Sequence, residues 1–290
     1  MLKYLSRSNA RAYVACLVAC GLLACVATSG IVLAVENANP EASTPDFSAN
    51  GVGWITNRND FQPPASGPGP VTFDPAHPYV MDGIPGKQPT FRIADLNNPI
   101  LMPWVSDALK KLNDSVMAGK TNYTVANTCR PAGVPTILLV RITPMYFLQT
   151  PKEIWMMWEN DHQVRRVYLN QPHSANVKPS WFGDSVGHYE GDTLVVDTIG
   201  ISTKTNVDNY NTPHSDKLHV VERFHTIDGG KTMQVDVKVD DPEAFTTPWS
   251  AIQTYRRVQE PMLEDSCAET TRPPVDLGIP PIPVANTPDF

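Results

Sequence analysis

A succession of short β-branched and aromatic runs between Pro131 and Pro261 constrains this fold more than any other sequence feature. Turn signals separate the runs. The clearest are 190–192 (Glu-Gly-Asp) and 228–230 (Asp-Gly-Gly), because glycine accepts the positive φ that tight hairpins require. The runs predict eight strands, at 137–142, 153–159, 164–169, 186–189, 193–198, 218–227, 231–239 and 251–258. This regular spacing favours an antiparallel sandwich or barrel over alternating strands and helices.

The predicted strands carry polar side chains on both faces. In 218–227, Glu222 shares one face with apolar residues, whereas His219 and Arg223 share the other. In a closed barrel this pattern is typical of a polar, ligand-holding interior, and a half-exposed sheet with charged outer positions is the alternative. We therefore expect a mainly β fold: an antiparallel, lipocalin-like β-barrel or curved sheet of about eight strands. One or two peripheral helices accompany it, and the apolar spacing predicts one at 100–117.

The first residues have the pattern of an export signal. Three positive charges come early, at Lys3, Arg7 and Arg11. The following residues, 12–35, contain no charge, so 1–35 is predicted to be a signal peptide or a membrane anchor. Cleavage near Ala34, lipidation at Cys20 or Cys25, and retention as an anchor all stay open. The predicted location is periplasmic or secreted, with membrane anchoring through this segment as an alternative.

The rest of the chain divides by composition. Residues 36–94 are rich in Pro, Gly and Asn and predict a linker or wrapping segment, 95–271 a single β-rich domain, and 272–290 a Pro-rich tail. The net charge of −7 excludes nucleic acid as a partner, because phosphate binding needs a basic face. The expected partner is a small-molecule ligand or substrate. Membrane contact is expected only through the N-terminal segment, if that segment is uncleaved or lipidated.

Two cysteines lie beyond the predicted leader, Cys129 and Cys267. Two cysteines allow a single intramolecular pairing, and an exported protein meets oxidising conditions that favour it. Cys129 precedes the first predicted strand and Cys267 follows the last, and these two ends lie close together in a closed barrel. The sequence therefore predicts a disulfide between them.

Three longer blocks carry a resemblance. They are 179–198 (PSWFGDSVGHYEGDTLVVDT), 214–224 (HSDKLHVVERF) and 241–249 (DPEAFTTPW). Together they resemble a large family of exported bacterial proteins of unknown function, abundant in acidobacteria and proteobacteria, with a GxSxGxWEGDTLVVDT-like signature. The resemblance covers about 95–270, with Tyr189 where the family commonly has Trp. It implies an exported, β-rich domain, and it carries over no activity.

The candidate catalytic residues are charged or imidazole groups set within or beside the predicted strands: His219, His214, Glu222, Asp197 and Arg165. We expect them to lie near one cavity, where histidine serves as a general acid or base near neutral pH. A hydrogen-bonded structural role for His219 is the alternative. The chain has no HxH or HExxH spacing, so neither a metal nor another cofactor is predicted.

A second set of residues is predicted to bind the substrate: Trp158, Glu159, Tyr168, Trp181 and Arg223. Aromatic side chains in strands form core or pocket walls, and Glu159 could pair with Arg165 across a hairpin. Ser185 lies in a Gly-Asp-Ser-Val-Gly stretch, but it is not expected to be a nucleophile. A nucleophile elbow leads into a helix, and here a predicted strand follows.

Two functions fit these patterns. The first is an exported enzyme using acid/base chemistry in a barrel cavity on a small organic or glycosidic substrate, as a lyase, isomerase or hydrolase. The second is a non-catalytic, lipocalin-like carrier of a small apolar or aromatic ligand. The pocket wall discriminates between them: converging His, Glu, Asp and Arg favour chemistry, whereas an aromatic wall with a lone polar anchor favours carriage.

Overall fold

Strands close into a barrel in the computed structural model, which describes residues 44–48, 51, 53–81, 84–120, 128–141 and 143–267. The predicted leader and the Pro-rich tail lie outside these ranges. The described strands are β1 (Gly53–Ile55), β2 (Met145–Gln149), β3 (Glu153–Trp158), β4 (Gln163–Leu169), β5 (Asp184–Glu190), β6 (Thr193–Ile199), β7 (His219–Ile227), β8 (Thr232–Asp240) and β9 (Trp249–Val258). Neighbours in sequence pair in order, and β1 closes the ring between β2 and β9.

The predicted mainly β fold is confirmed, and the sheet is a closed barrel rather than an open curved sheet. Pairing among the described strands is antiparallel except between β4 and β5, which run parallel with Val167 opposite Ser185. A parallel pair needs a long crossover, and residues 170–183 provide one without adding a strand to the barrel. We call this the 170–183 crossover.

The strand predicted at 137–142 is wrong. The structure has a 3₁₀ turn at Thr136–Leu139, directly after Pro135, and all four of its residues are buried. The carbonyl oxygen of Leu138 accepts a hydrogen bond from the Tyr255 hydroxyl at 2.6 Å. The apolar run is therefore buried against side chains of the barrel interior. A buried turn and a buried strand give the same apolar pattern, so the sequence does not distinguish them.

The strand β1 falls within the predicted linker, so the barrel uses residues before position 95. Trp54 lies opposite Met145 on β2 and Arg257 on β9, it is fully buried, and its indole N–H donates to the Phe47 carbonyl at 2.8 Å. Gly53 allows this close approach, because a Cβ there would lie 2.9 Å from the Tyr146 ring. A strand of three residues in a Gly- and Asn-rich context carries no periodic signal.

The predicted helix is confirmed as α1 (Pro103–Met117). Pro103 occupies the first helical position, where a missing N–H costs nothing. Its buried face is Val105, Leu109, Asn113 and Val116. The Asn113 amide binds both backbone groups of Ala94, at 2.9 and 2.8 Å, which fixes the helix against the segment before it. No helix in the described ranges has the length and apolar character to cross a bilayer.

Alternate side chains of the strands fill the barrel. Phe147 on β2 and Phe224 on β7 meet edge to face across the interior, with ring centroids 6.0 Å apart. The inward side chains with almost no exposed surface include Trp54, Phe147, Met156, Trp158, Val167, Val196, Phe224, Val235 and Tyr255. Burial of this kind contributes about 25 cal/mol for each Å² of apolar surface removed from water, so these side chains dominate the stability of the fold.

The predicted disulfide is confirmed. Cys129 and Cys267 are bonded, with Cα atoms 5.4 Å apart and a sequence separation of 138. The bond joins the chain ahead of β2 to the chain beyond β9, so it encloses eight of the described strands in one covalent loop.

We expect replacement of both cysteines by serine to lower the free energy of unfolding. The loop-entropy relation gives about 4–5 kcal/mol as an upper figure for so long a loop. Urea unfolding of the wild type and of the Cys129→Ser/Cys267→Ser variant measures the difference. A reductant should weaken the wild type and leave the double variant unchanged. Alkylation of both residues in denatured, unreduced protein would contradict the pairing.

Candidate functional site

Arg165 and Glu222 form an ion pair inside the barrel. The Arg165 guanidinium donates to both Glu222 carboxylate oxygens, at 2.9 and 2.5 Å, in a bidentate arrangement. It also donates to the Ser185 hydroxyl at 3.1 Å and to the Thr198 hydroxyl at 2.7 Å. Those two hydroxyls lie 3.0 Å apart. The group, which we call the internal cluster, therefore joins one residue from each of β4, β5, β6 and β7.

The internal cluster is closed to solvent. Arg165 and Glu222 each have 0% exposed surface, so no void as large as a water molecule adjoins them. Because both carboxylate oxygens are held by the guanidinium, Glu222 is set as a counter-ion rather than as a base for a substrate. The nearby Tyr255 is also fully enclosed; burial raises the pKa of its hydroxyl, and the Glu222 charge adds to the effect. This arrangement stabilises the fold.

A second polar cluster lies on the outer face of the same strands. His219 Nε2 and His173 Nε2 each lie 2.9 Å from one oxygen of Asp197, which accepts from both imidazoles. His173 Nδ1 lies 3.2 Å from Asp184, whose carboxylate also accepts the Ser174 N–H at 2.8 Å. We call this the external cluster. It attaches the 170–183 crossover to β5, β6 and β7.

Hydrogen bonding within the external cluster shifts two pKa values. The hydrogen bond to Asp197 raises the pKa of His219 above its ordinary value, although partial burial acts against it. Burial alone would raise the pKa of Asp197, but the hydrogen bonds from His219 and His173 outweigh it and leave that pKa below the ordinary value. Charge separation between His219 and Asp197 is thus favoured in the folded protein.

His214 lies apart from both clusters. Its Nε2 is 2.9 Å from the Thr205 hydroxyl, and its Nδ1 is 2.8 Å from the Ser215 carbonyl oxygen. Because a carbonyl only accepts, Nδ1 carries a proton. The Thr205 hydroxyl in turn donates to the Ser202 carbonyl oxygen at 2.9 Å. Burial lowers the pKa of His214, and the Ser215 contact acts in the opposite direction. The imidazole serves to hold the loop before β7.

The expectation that the five candidate catalytic residues share one cavity is wrong. Strand alternation sends Arg165 and Glu222 inward and Asp197 and His219 outward, while His214 is buried in a loop. The wall of the sheet separates the two pairs. The two pairings themselves could not be assigned from the sequence, because they depend on the registers of four strands.

The predicted substrate-binding residues are also dispersed. Trp158 is buried and stacks on Phe182, with centroids 6.5 Å apart, and half-buried Trp181 lies in the 170–183 crossover. Tyr168 lies on the outer face beneath the Arg166 guanidinium, and Arg223 pairs outside with Glu190 at 2.6 Å. The suggested Glu159–Arg165 pair is wrong, because the Glu159 carboxylate accepts the Leu263 N–H at 2.8 Å.

A groove that the sequence did not indicate lies on the outer side of α1. It has a volume of about 600 Å³. Trp104, Asp107 and Lys111 line it from the helix, and Asn211 and Pro213 line it from the loop before β7. We call it the α1 groove. The signal that could have found it is a tryptophan on the polar side of an amphipathic helix: Trp104 is 43% exposed.

Both walls of the α1 groove are fixed by hydrogen bonds. The Trp104 indole N–H donates to the Glu243 carbonyl at 2.7 Å. On the loop side, buried Asp208 accepts the N–H groups of Tyr210 and Thr212 at 2.9 and 3.1 Å and the Thr212 hydroxyl at 2.7 Å. Burial raises the pKa of Asp208 to about 6, against the effect of these hydrogen bonds. The loop therefore has a defined shape.

Comparison with known proteins adds little. No protein-family model matches the sequence, and no curated protein matches it. A solved structure described as "REP1-NXSQ fatty acid transporter" is 12% identical, covers 49% of this chain and 92% of its own, and aligns with a TM-score of 0.25. A TM-score this low carries no argument about fold or function. The resemblance to the exported bacterial family stays a prediction.

Metal binding is not indicated by either cluster. Within the described part of the chain, no group of three or more His, Cys, Asp or Glu side chains has the arrangement to hold a metal ion. In the external cluster, the carboxylate of Asp197 instead lies between the two imidazoles as a shared hydrogen-bond acceptor.

We expect Arg165→Met to destabilise the protein by about 3–5 kcal/mol, because it leaves the Glu222 carboxylate buried without a partner. The double variant Arg165→Met/Glu222→Leu should recover most of that loss. Chemical denaturation measures both. Arg166→Met is the matched control, since Arg166 is the next residue on β4 and pairs with Glu153 on the outer face. Equal losses in the two single variants would contradict a stabilising internal cluster.

Proposed function

We propose that this chain is an exported small-molecule-binding protein, a lipocalin-like carrier whose ligand lies in the α1 groove rather than inside the barrel. The observation that carries the proposal is the groove itself, with a volume of about 600 Å³ and a fixed tryptophan in its wall. Pockets for small molecules span roughly 300–1,000 Å³. The enclosed internal cluster offers no comparable opening.

The wall of the α1 groove indicates the class of ligand. The Trp104 indole, with Leu112 and Pro213, offers a flat apolar surface for an aromatic or alicyclic body. Lys111 forms no ion pair within the described ranges, whereas its neighbour Lys110 pairs with Asp114 at 2.6 Å. Its ammonium is therefore available to an anionic group. An amphipathic molecule with a ring body and an acidic end fits both features.

Preorganisation supports binding at this place. The Glu243 carbonyl holds Trp104, and the Asp208 hydrogen bonds hold the loop with Asn211 and Pro213. A ligand that enters a formed site loses less affinity to the ordering of side chains. Asp107 is the one carboxylate among the described residues of the wall, and no His, Glu or Arg converges with it, so the wall favours carriage over acid/base chemistry.

We expect anilinonaphthalene sulfonate, an aromatic sulfonate, to bind the α1 groove with saturable fluorescence enhancement. Trp104→Ala should weaken binding about tenfold or more, because it removes the aromatic wall. Lys111→Gln should weaken it by about threefold, as an exposed charge contact is worth little. Fluorescence titration measures each affinity.

Two matched controls accompany this titration. Trp155→Ala removes a tryptophan from the outer face of β3, and Lys110→Gln removes the adjacent lysine. Both should bind the probe as the wild type does. Signal that does not saturate, or equal weakening by Trp104→Ala and Trp155→Ala, would contradict a site in the groove.

The external cluster supports a second candidate, an exported acid/base enzyme. His219 Nε2 is held by Asp197, and Nδ1 has no hydrogen-bond partner among the described residues. The His219 side chain is 40% exposed, so Nδ1 can reach a bound molecule. A carboxylate that orients a histidine is the usual arrangement of a general base. The reaction would be that of a lyase, isomerase or hydrolase acting at the outer face.

For this candidate we expect slow turnover of a panel of p-nitrophenyl esters and glycosides that His219→Gln abolishes. The rate should rise with pH as His219 loses its proton, with a midpoint above 6.5, since Asp197 raises the pKa. Asp197→Asn should move that midpoint to lower pH. His188→Gln, at an exposed histidine paired with Glu190, is the control. Turnover that survives His219→Gln would exclude this site.

A further inference from the structure

A small cationic pocket lies on the side of the barrel where β1, β9 and β8 adjoin. It has a volume of about 180 Å³. Thr56, Asn57 and Arg58 line it from the chain that leaves β1, and Thr232, Thr254 and Arg256 line it from the strands. The register explains this convergence, because Arg256 lies opposite Ile55 on one side and Thr232 on the other. The pocket shares no lining residue with the α1 groove.

Positive charge in this pocket is poorly neutralised. Arg58 reaches Asp60 only at 4.0 Å. Arg256 makes no hydrogen bond or ion pair within the described residues. The pocket wall contains no carboxylate. Besides Asp60, exposed Asp228 contacts a lining residue, since it accepts the Thr232 hydroxyl at 3.2 Å.

We propose that this pocket binds a small oxyanion, a phosphate or carboxylate group, between Arg58 and Arg256. The planar guanidinium matches both groups through paired N–H donors. The Thr254 and Asn57 side chains supply further donors around the same space. The volume fits a single such group, so the ligand is a free anion or the anionic end of a molecule that extends into solvent.

NMR titration of the ¹⁵N-labelled protein tests the site. Inorganic phosphate and acetate are added separately at constant ionic strength, with sodium chloride as the reference. Saturable shifts of the Thr232 and Thr254 amides are expected with phosphate, with acetate, or with both. Phosphate alone identifies a phosphate group as the ligand, and acetate alone identifies a carboxylate. No saturable shift, or the same shifts with chloride, overturns the proposal.

Two variants and a control locate the binding. Arg256→Gln and Arg58→Gln should each weaken the affinity about tenfold, because each removes one guanidinium. Arg223→Gln is the matched control, at an outward-facing arginine of β7 that pairs with Glu190, and it should bind as the wild type does. Circular dichroism confirms folding; if Arg256→Gln does not fold, Arg58→Gln decides. Unchanged affinity in the variants that fold overturns the proposal.

Discussion

The pairing of Arg165 with Glu222 spans a part of the barrel where few backbone pairs align. β4 and β5 run parallel, and only three residue pairs align there, against seven between β5 and β6. The internal cluster takes one residue from each of β4, β5, β6 and β7, so it bridges this seam from the inside. The external cluster binds the 170–183 crossover to β5, β6 and β7 from the outside. Two polar clusters therefore compensate for a short ladder.

Because the barrel interior is filled, the candidate sites lie on the outside of the barrel. The 136–139 turn and the internal cluster occupy interior volume that lipocalin-type barrels leave to a ligand. The α1 groove and the cationic pocket instead form where added segments meet: a helix against the loop before β7, and the chain after β1 against two strands. Loops and added elements can change without disturbing a packed core, which makes them suitable places for a binding function.

The features that depend on local sequence patterns, or on the number of cysteines, could be predicted from the sequence. Turn glycines and alternation located the strands from β3 to β9, α1 followed from its apolar spacing, and Cys129 could pair only with Cys267. The strands β1 and β2 were missed, since one has three residues and the other is flanked by Pro144 and Pro151. The partners of charged residues were harder still to predict, because Arg165 and Glu222 are 57 residues apart and meet only when the barrel closes.

A buried ion pair is a costly way to stabilise a core, since well-packed apolar side chains of similar volume do as well or better. Here the pair helps to fix the register of β4 against its neighbouring strands. A slip of β4 by one residue that brings Val164 to the place of Arg165 would leave the Glu222 carboxylate enclosed without a partner. The opposite slip would bring Arg166 to that place and would separate it from Glu153 on the outer face. The penalty for an unpaired buried charge thus disfavours the first of these registers at the seam, where the parallel ladder aligns only three residue pairs.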